Sequence, residues 1–247
     1  MTSGKPRPQS LLLPGVAALC ALAVLLGLGT WQVQRKSWKE ALIATVTERF
    51  AAPPARLPPP AEWPGLDPSH DEFRRVAFRA EWLNDKEALV YTTGSSLRAE
   101  AAGPGYWVFT PARVPGGIVM VNRGFVPEGR QDPSTRAEGQ TAGAVEIVGV
   151  MRWPETPGVF TPAGDPAKNL WFARDPAAMA AAKGLGPVAP FYVEQESPSA
   201  PSGLPQVGKL QPSLPNNHLG YALTWYGLAL VLVVAFGIWA AGRRREN

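Results

Sequence analysis

Two apolar runs, one near each end of the chain, constrain this sequence more than anything between them. The C-terminal run extends from Tyr221 to Ala241 without a charged residue and is followed by Arg243, Arg244 and Arg245. At about 1.5 Å of helical rise per residue it covers about 30 Å, the thickness of a bilayer's hydrocarbon core. The N-terminal run, Leu11 to Thr30, is uncharged and of similar length. Its Pro14 falls in the first turn, where a missing N–H costs little. Two spanning helices put both chain ends on one side, and the three arginines assign that side to the cytoplasm.

A cleaved signal peptide with a small-residue site at Gly27 and Gly29 is the alternative for the first run. The run is long for such a peptide, and a helical pattern continues past it. Trp31, Trp38, Leu42, Thr45 and Arg49 recur at helical spacing, with no Gly or Pro before Phe50. One long helix leaving the membrane is expected, with Trp31 in the interfacial aromatic belt. The spans are expected to pair through Gly27, Gly220 and Gly227, which permit close approach.

The stretch after this helix holds Pro53, Pro54, Pro58, Pro59, Pro60, Pro64 and Pro68. It reads as an extended linker or wrapping segment rather than a helix. Beyond it the pattern turns strand-rich. Candidate strands are Arg75–Trp82, Ala88–Thr93, Tyr106–Pro111, Gly117–Asn122, Val145–Met151 and Phe191–Glu194, divided by Gly- and Pro-containing turns. Tyr106–Val114 and Gly117–Val121 read as a hairpin. A short helix is predicted over Pro176–Lys183, capped by Asp175, with Pro176 in its first turn.

The fold class is therefore an α+β membrane protein: two transmembrane helices flanking a small barrel- or sandwich-like extramembrane domain. The expected divisions are a cytoplasmic N-terminus (1–10), span (11–31), helical extension (32–52) and Pro-rich linker (53–72). A β-rich domain (73–204), second linker (205–219), second span (220–241) and basic cytoplasmic tail (242–247) follow.

The net charge of +4 lies mostly at the membrane flanks, a pattern that suits anionic lipid and gives no sign of a nucleic-acid partner. One cysteine, Cys20, allows no internal disulfide or thiolate metal cluster. The sequence holds no GxSxG, HExxH, Walker or Rossmann motif, and its two histidines are His70 and His218. A non-enzymatic role is expected.

Two places carry candidate chemistry. Asn122-Arg123-Gly124 after an apolar strand reads as a turn or bulge with Gly124 at positive φ; Arg123 could pair with a carboxylate or a haem propionate. His218 lies just outside the second apolar run. It either hydrogen-bonds at the interface or serves as an axial haem-iron ligand, with Tyr221 and Trp225 contributing to the pocket.

These blocks resemble the Surfeit locus protein one family. Leu28-Gly29-Thr30-Trp31-Gln32 with Arg35, Trp38, Lys39 and Leu42 is similar to its first-span signature. Val121-Asn122-Arg123-Gly124-Phe125-Val126-Pro127 is similar to the central signature, with Phe125 where tryptophan is common. Asn217-His218-Leu219-Gly220-Tyr221-Ala222-Leu223-Thr224-Trp225-Tyr226-Gly227 is similar to the second-span signature, with mild departures at Gly220 and Tyr226.

The resemblance implies an assembly factor for haem-copper cytochrome c oxidase that helps insert haem a into subunit I. It implies a transiently bound haem a with its iron on His218. It also implies subunit I as a partner, haem a synthase as a further candidate partner, and membrane lipids as the environment. The corresponding location is a bacterial inner membrane, with the central domain in the periplasm and both termini in the cytoplasm. The competing expectation is a membrane-tethered scaffold that binds oxidase intermediates without a cofactor. A membrane-tethered hydrolase is a third class, disfavoured because no triad is evident.

Overall fold

The computed structural model describes residues 11–95, 101–208, 210 and 216–246. The expected N-terminal cytoplasmic segment, 1–10, lies outside them, as do parts of the second linker.

The chain forms two compact units. One contains the two terminal apolar helices, α1 (Leu12–Ala51) and α4 (His218–Glu246). Both are long and apolar enough to cross a membrane, and the apolar stretch of each is almost entirely exposed in the isolated chain. Leu12, Leu13, Leu19, Val24, Leu223, Leu230 and Ile238 all face outward. Such a surface is stable against lipid and not against water, so this is a membrane protein. As expected, α1 continues unbroken past Trp31. α4 runs on through residues 242–246, the stretch expected as the basic tail.

The second unit, Val46–Ser213, is built on a closed barrel. Five strands form it: β2 (Arg75–Trp82), β4 (Ala102–Val114), β5 (Gly117–Pro127), β6 (Ala144–Arg152) and β8 (Tyr192–Ser197). Around the barrel the order is β2-β6-β8-β5-β4. The pairs Glu81–Arg113 and Trp82–Ala112 return β4 to β2 and close it. All neighbours are antiparallel except β5 and β8. Closure leaves these strands with few unpaired edges, which settles the expected barrel-or-sandwich choice.

The alternation of side chains produces two cores. Val76, Phe78, Ala112, Val119, Val121, Ile147 and Val193 pack together on one face. Trp107, Phe109, Met120, Phe125 and Tyr192 pack on the other, beneath α3 (Pro176–Ala182). The carboxylate of Asp175 accepts from the Ala178 N–H, the predicted N-cap. β3 (Ala88–Gly94) extends the sheet beyond β4.

Four short elements, two strands and two helical turns, have no counterpart in the sequence reading. β1 (Ala55–Arg56) pairs with β2, and β7 (Leu170–Trp171) pairs with β3. The Pro-rich stretch contains a 3-10 turn at Pro60–Gly65 and a single-turn α2 (Pro68–Asp71), so it is not uniformly extended. Each begins with proline at its first position, where the lost N–H has no helical partner to leave. Leu57 and Trp63 bury themselves in the first core, and Trp63 Nε1–H donates to the Pro58 carbonyl at 2.9 Å. The stretch wraps the barrel and is part of its core.

Candidate functional site

Within the helix unit, α1 and α4 run antiparallel: Gly15 lies beside Phe236, and Gln32 beside His218. Side chains recurring every three or four residues turn inward. On α4 these are His218, Ala222, Trp225, Ala229, Leu232 and Phe236. Gly29, Ala222 and Ala229 are the buried positions of the pair. A Cβ on Gly29 would stand 2.7 Å from the Tyr226 ring, so that glycine makes room for a tyrosine. This corrects the pairing expected through Gly27, Gly220 and Gly227, where nothing lies within 4 Å of an added Cβ. Those three glycines fall outside the three-or-four-residue stripe that faces the partner helix.

His218 is the first residue of α4 and is half-buried. Its Nδ1 lies 2.7 Å from Gln32 Oε1. An amide oxygen only accepts, so Nδ1 is the donor in this contact, and in the neutral ring Nε2 then keeps its lone pair. At the His218 end, Thr30 and Tyr226 add a second polar contact, with 3.1 Å between their hydroxyls. Thr30 Oγ1 already donates to the Leu26 carbonyl at 2.9 Å, so the Tyr226 hydroxyl is the donor to Thr30.

The other expected residues are spread differently. Trp225 shares the inward stripe with His218 and is half-buried. Tyr221 turns outward and is 57 % exposed, so it does not join His218 on the inward face. Trp31 also points outward, as a side chain in an interfacial belt does. Gln32 is the residue that sequence reasoning missed as a site residue. Its signal was its place directly after Trp31, at the depth where antiparallel spans bring α1 level with the start of α4.

Arg123 belongs to the barrel unit. Asn122-Arg123-Gly124 forms a β-bulge: Trp107 pairs with Phe125 and Phe109 with Asn122, leaving one extra residue on β5. Gly124 has φ +116°, as expected, and the Gln206 carbonyl sits where its Cβ would be. Phe125 and Gln206 exchange both backbone hydrogen bonds at 2.9 and 2.8 Å. The bulge thereby tethers the chain after β8 to the barrel.

The Arg123 side chain is 4 % exposed. Nη1 donates to Asn84 Oδ1 at 3.1 Å, Nη2 donates to the Gly139 carbonyl, and the guanidinium stacks 4.6 Å from the Trp82 ring centre. Burial lowers its pKa to about 10, helped by the positive charge of Arg136 and opposed by Glu87. Glu87 itself forms a buried two-pronged pair with Arg136.

The SURF1 family model matches residues 19–230. The chain is 35 % identical over 237 residues to the SURF1-like protein of Monosiga brevicollis, covering 93 % of this chain and 87 % of that one. It is 36 % identical over 218 residues to Surfeit locus protein 1 of Rattus norvegicus, covering 83 % and 69 %. The human Surfeit locus protein 1 is 36 % identical over 216 residues, covering 82 % and 69 %. With the match spanning both helices and the barrel between them, the chain belongs to the SURF1 family.

Proposed function

We propose that this protein is a non-enzymatic assembly factor for haem-copper cytochrome c oxidase, which takes up haem a and passes it to subunit I. The observation that carries the reading is the His218–Gln32 contact at one end of the helix pair. A histidine whose Nδ1–H is held by an acceptor is oriented as a metal ligand through Nε2. Among the described residues there is no group of three or more His, Cys, Asp or Glu side chains able to hold an ion. A single imidazole would suit an iron whose other ligands a macrocycle supplies. When bound, haem a would supply that iron centre.

The protein's own part is then to present one nitrogen from a half-buried position and to let it go. His218 ligates, Gln32 fixes the ring, and Trp225 supplies apolar surface on the same helix face. One ligand at a partly open site favours transfer over storage. The proposed partners are oxidase subunit I and haem a synthase, in a bacterial inner membrane. The barrel would face the periplasm, and Arg243 to Arg245 the cytoplasm.

The test is a visible spectrum of the detergent-purified full chain expressed with a haem a supply. A Soret band that is lost in His218→Ala is expected. A colourless protein that still captures oxidase subunits would replace this reading with that of a cofactor-free scaffold.

A further inference from the structure

Between the barrel wall and the chain that returns after β8 lies a cleft of about 270 Å³, bordered by Trp82, Arg123, Val145, Pro198 and Pro205. We propose that this cleft binds a small organic carboxylate, its anionic end on Arg123 and its apolar body between Trp82 and the prolines. The proposal concerns the barrel unit and does not depend on haem binding.

Arg123 is the only charged residue among the described residues that line the cleft. Its guanidinium has five N–H donors. Asn84 and Gly139 accept one each; Nε–H is buried with no acceptor among the described residues. No described carboxylate forms an ion pair with Arg123, because Glu87, whose negative charge reaches it, is engaged by Arg136. Arg123, Arg136 and Glu87 together thus hold one uncompensated positive charge inside the barrel unit.

A buried cation without a counter-charge is unfavourable, and a guanidinium offers a planar fork matched to the two oxygens of a carboxylate. The depressed pKa of Arg123 has the same origin, and at neutral pH the group is still charged. The remaining surroundings select the rest of the ligand. The Trp82 ring, Val145 and the prolines are apolar, and the volume falls just below the roughly 300–1,000 Å³ of pockets for drug-sized molecules. An acid the size of benzoate or a branched short-chain acid fits this description.

The test uses fluorine NMR on the detergent-purified full chain with 4-fluorobenzoate as probe. Saturable binding is expected with Kd on the order of 1 mM. The uncharged 4-fluorobenzamide, of the same shape, is expected not to bind. Arg123→Gln should weaken the acid by about tenfold or more, and Arg123→Lys, which keeps the charge and loses the fork, should retain part of it. Ala144→Trp, which fills the cleft from its rim, should abolish binding with Arg123 in place. Equal binding of acid and amide by the unaltered chain, or no binding of the acid, overturns the proposal. So does unchanged acid affinity in a folded Arg123→Gln variant.

Discussion

His218 Nδ1 and Gln32 Oε1 are 2.7 Å apart although 186 residues separate them in the chain. This one contact decides which imidazole nitrogen is protonated. In a nitrogen-15-labelled chain carrying His70→Gln, His218 is the single imidazole left. Its spectrum at alkaline pH is expected to show the Nδ1–H tautomer. Gln32→Leu should give a mixture of tautomers and weaken haem binding by about 10–100-fold. Finding the Nε2–H tautomer in the parent would remove Gln32 from its role, whatever the outcome with haem.

Gly29 and Gly27 are two residues apart in α1 and should respond oppositely to alanine. At Gly27 an added methyl meets nothing within 4 Å, so better helix propensity should leave the protein unchanged or slightly more stable, by up to ~1 kcal/mol. At Gly29 the methyl displaces the Tyr226 ring and with it the hydroxyl contact to Thr30. Destabilisation of the helix pair by about 1–3 kcal/mol is expected. Unfolding in mixed micelles, followed by tryptophan fluorescence, measures both.

Gly124→Ala should be the more damaging change in the barrel. The position combines φ +116° with a methyl aimed into the Gln206 carbonyl. Strain of about 1–3 kcal/mol from the backbone alone adds to loss of the paired Phe125–Gln206 bridge. Faster amide exchange at Gln206 and Phe125 than at Val121, in the middle of the same strand, is the expected signature.

Tyr192 is fully buried, and burial together with nearby Glu194 raises its phenol to about 12, against the pull of Arg174 and Arg152. A raised acid pKa means the folded state keeps its proton where the unfolded chain has lost it. Stability from this group is therefore complete below about pH 10 and is lost as pH rises toward 12. The loss is on the order of 2–3 kcal/mol. Arg123 acts in the opposite sense, because its lowered pKa makes the fold gain from deprotonation above about 10. Both proteins contain it, so the difference between parent and Tyr192→Phe in alkaline denaturation isolates the phenol. A steeper alkaline loss in the parent is expected; identical profiles would show that the phenol titrates normally.

Much of the barrel was legible because its signals are local. Alternating apolar residues mark β2 and β6, and Asp175-Pro176 marks the start of α3. The Gly124 bulge could be read from Asn-Arg-Gly after an apolar strand. β1 and β7 were not legible, since two residues carry no periodicity and exist as strands only through pairing with β2 and β3. For the Pro-rich stretch, the wrapping alternative holds, but its short turns and its place in the core were not legible, for a related reason. Its proline content reports the backbone's restriction, while its burial depends on Trp63 finding the barrel core.

The sequence by itself determined the two membrane helices, the positions of most strands and the presence of a histidine where the second span begins. Those follow from short-range hydropathy and backbone preference, which each segment carries with it. Only the tertiary structure decided that β4 returns to β2, that Gln32 rather than Tyr221 accompanies His218, and that Arg123 is buried with no counter-charge paired to it among the described residues. These depend on which distant groups meet once chain entropy has been overcome, and that free energy belongs to pairs of segments rather than to either one.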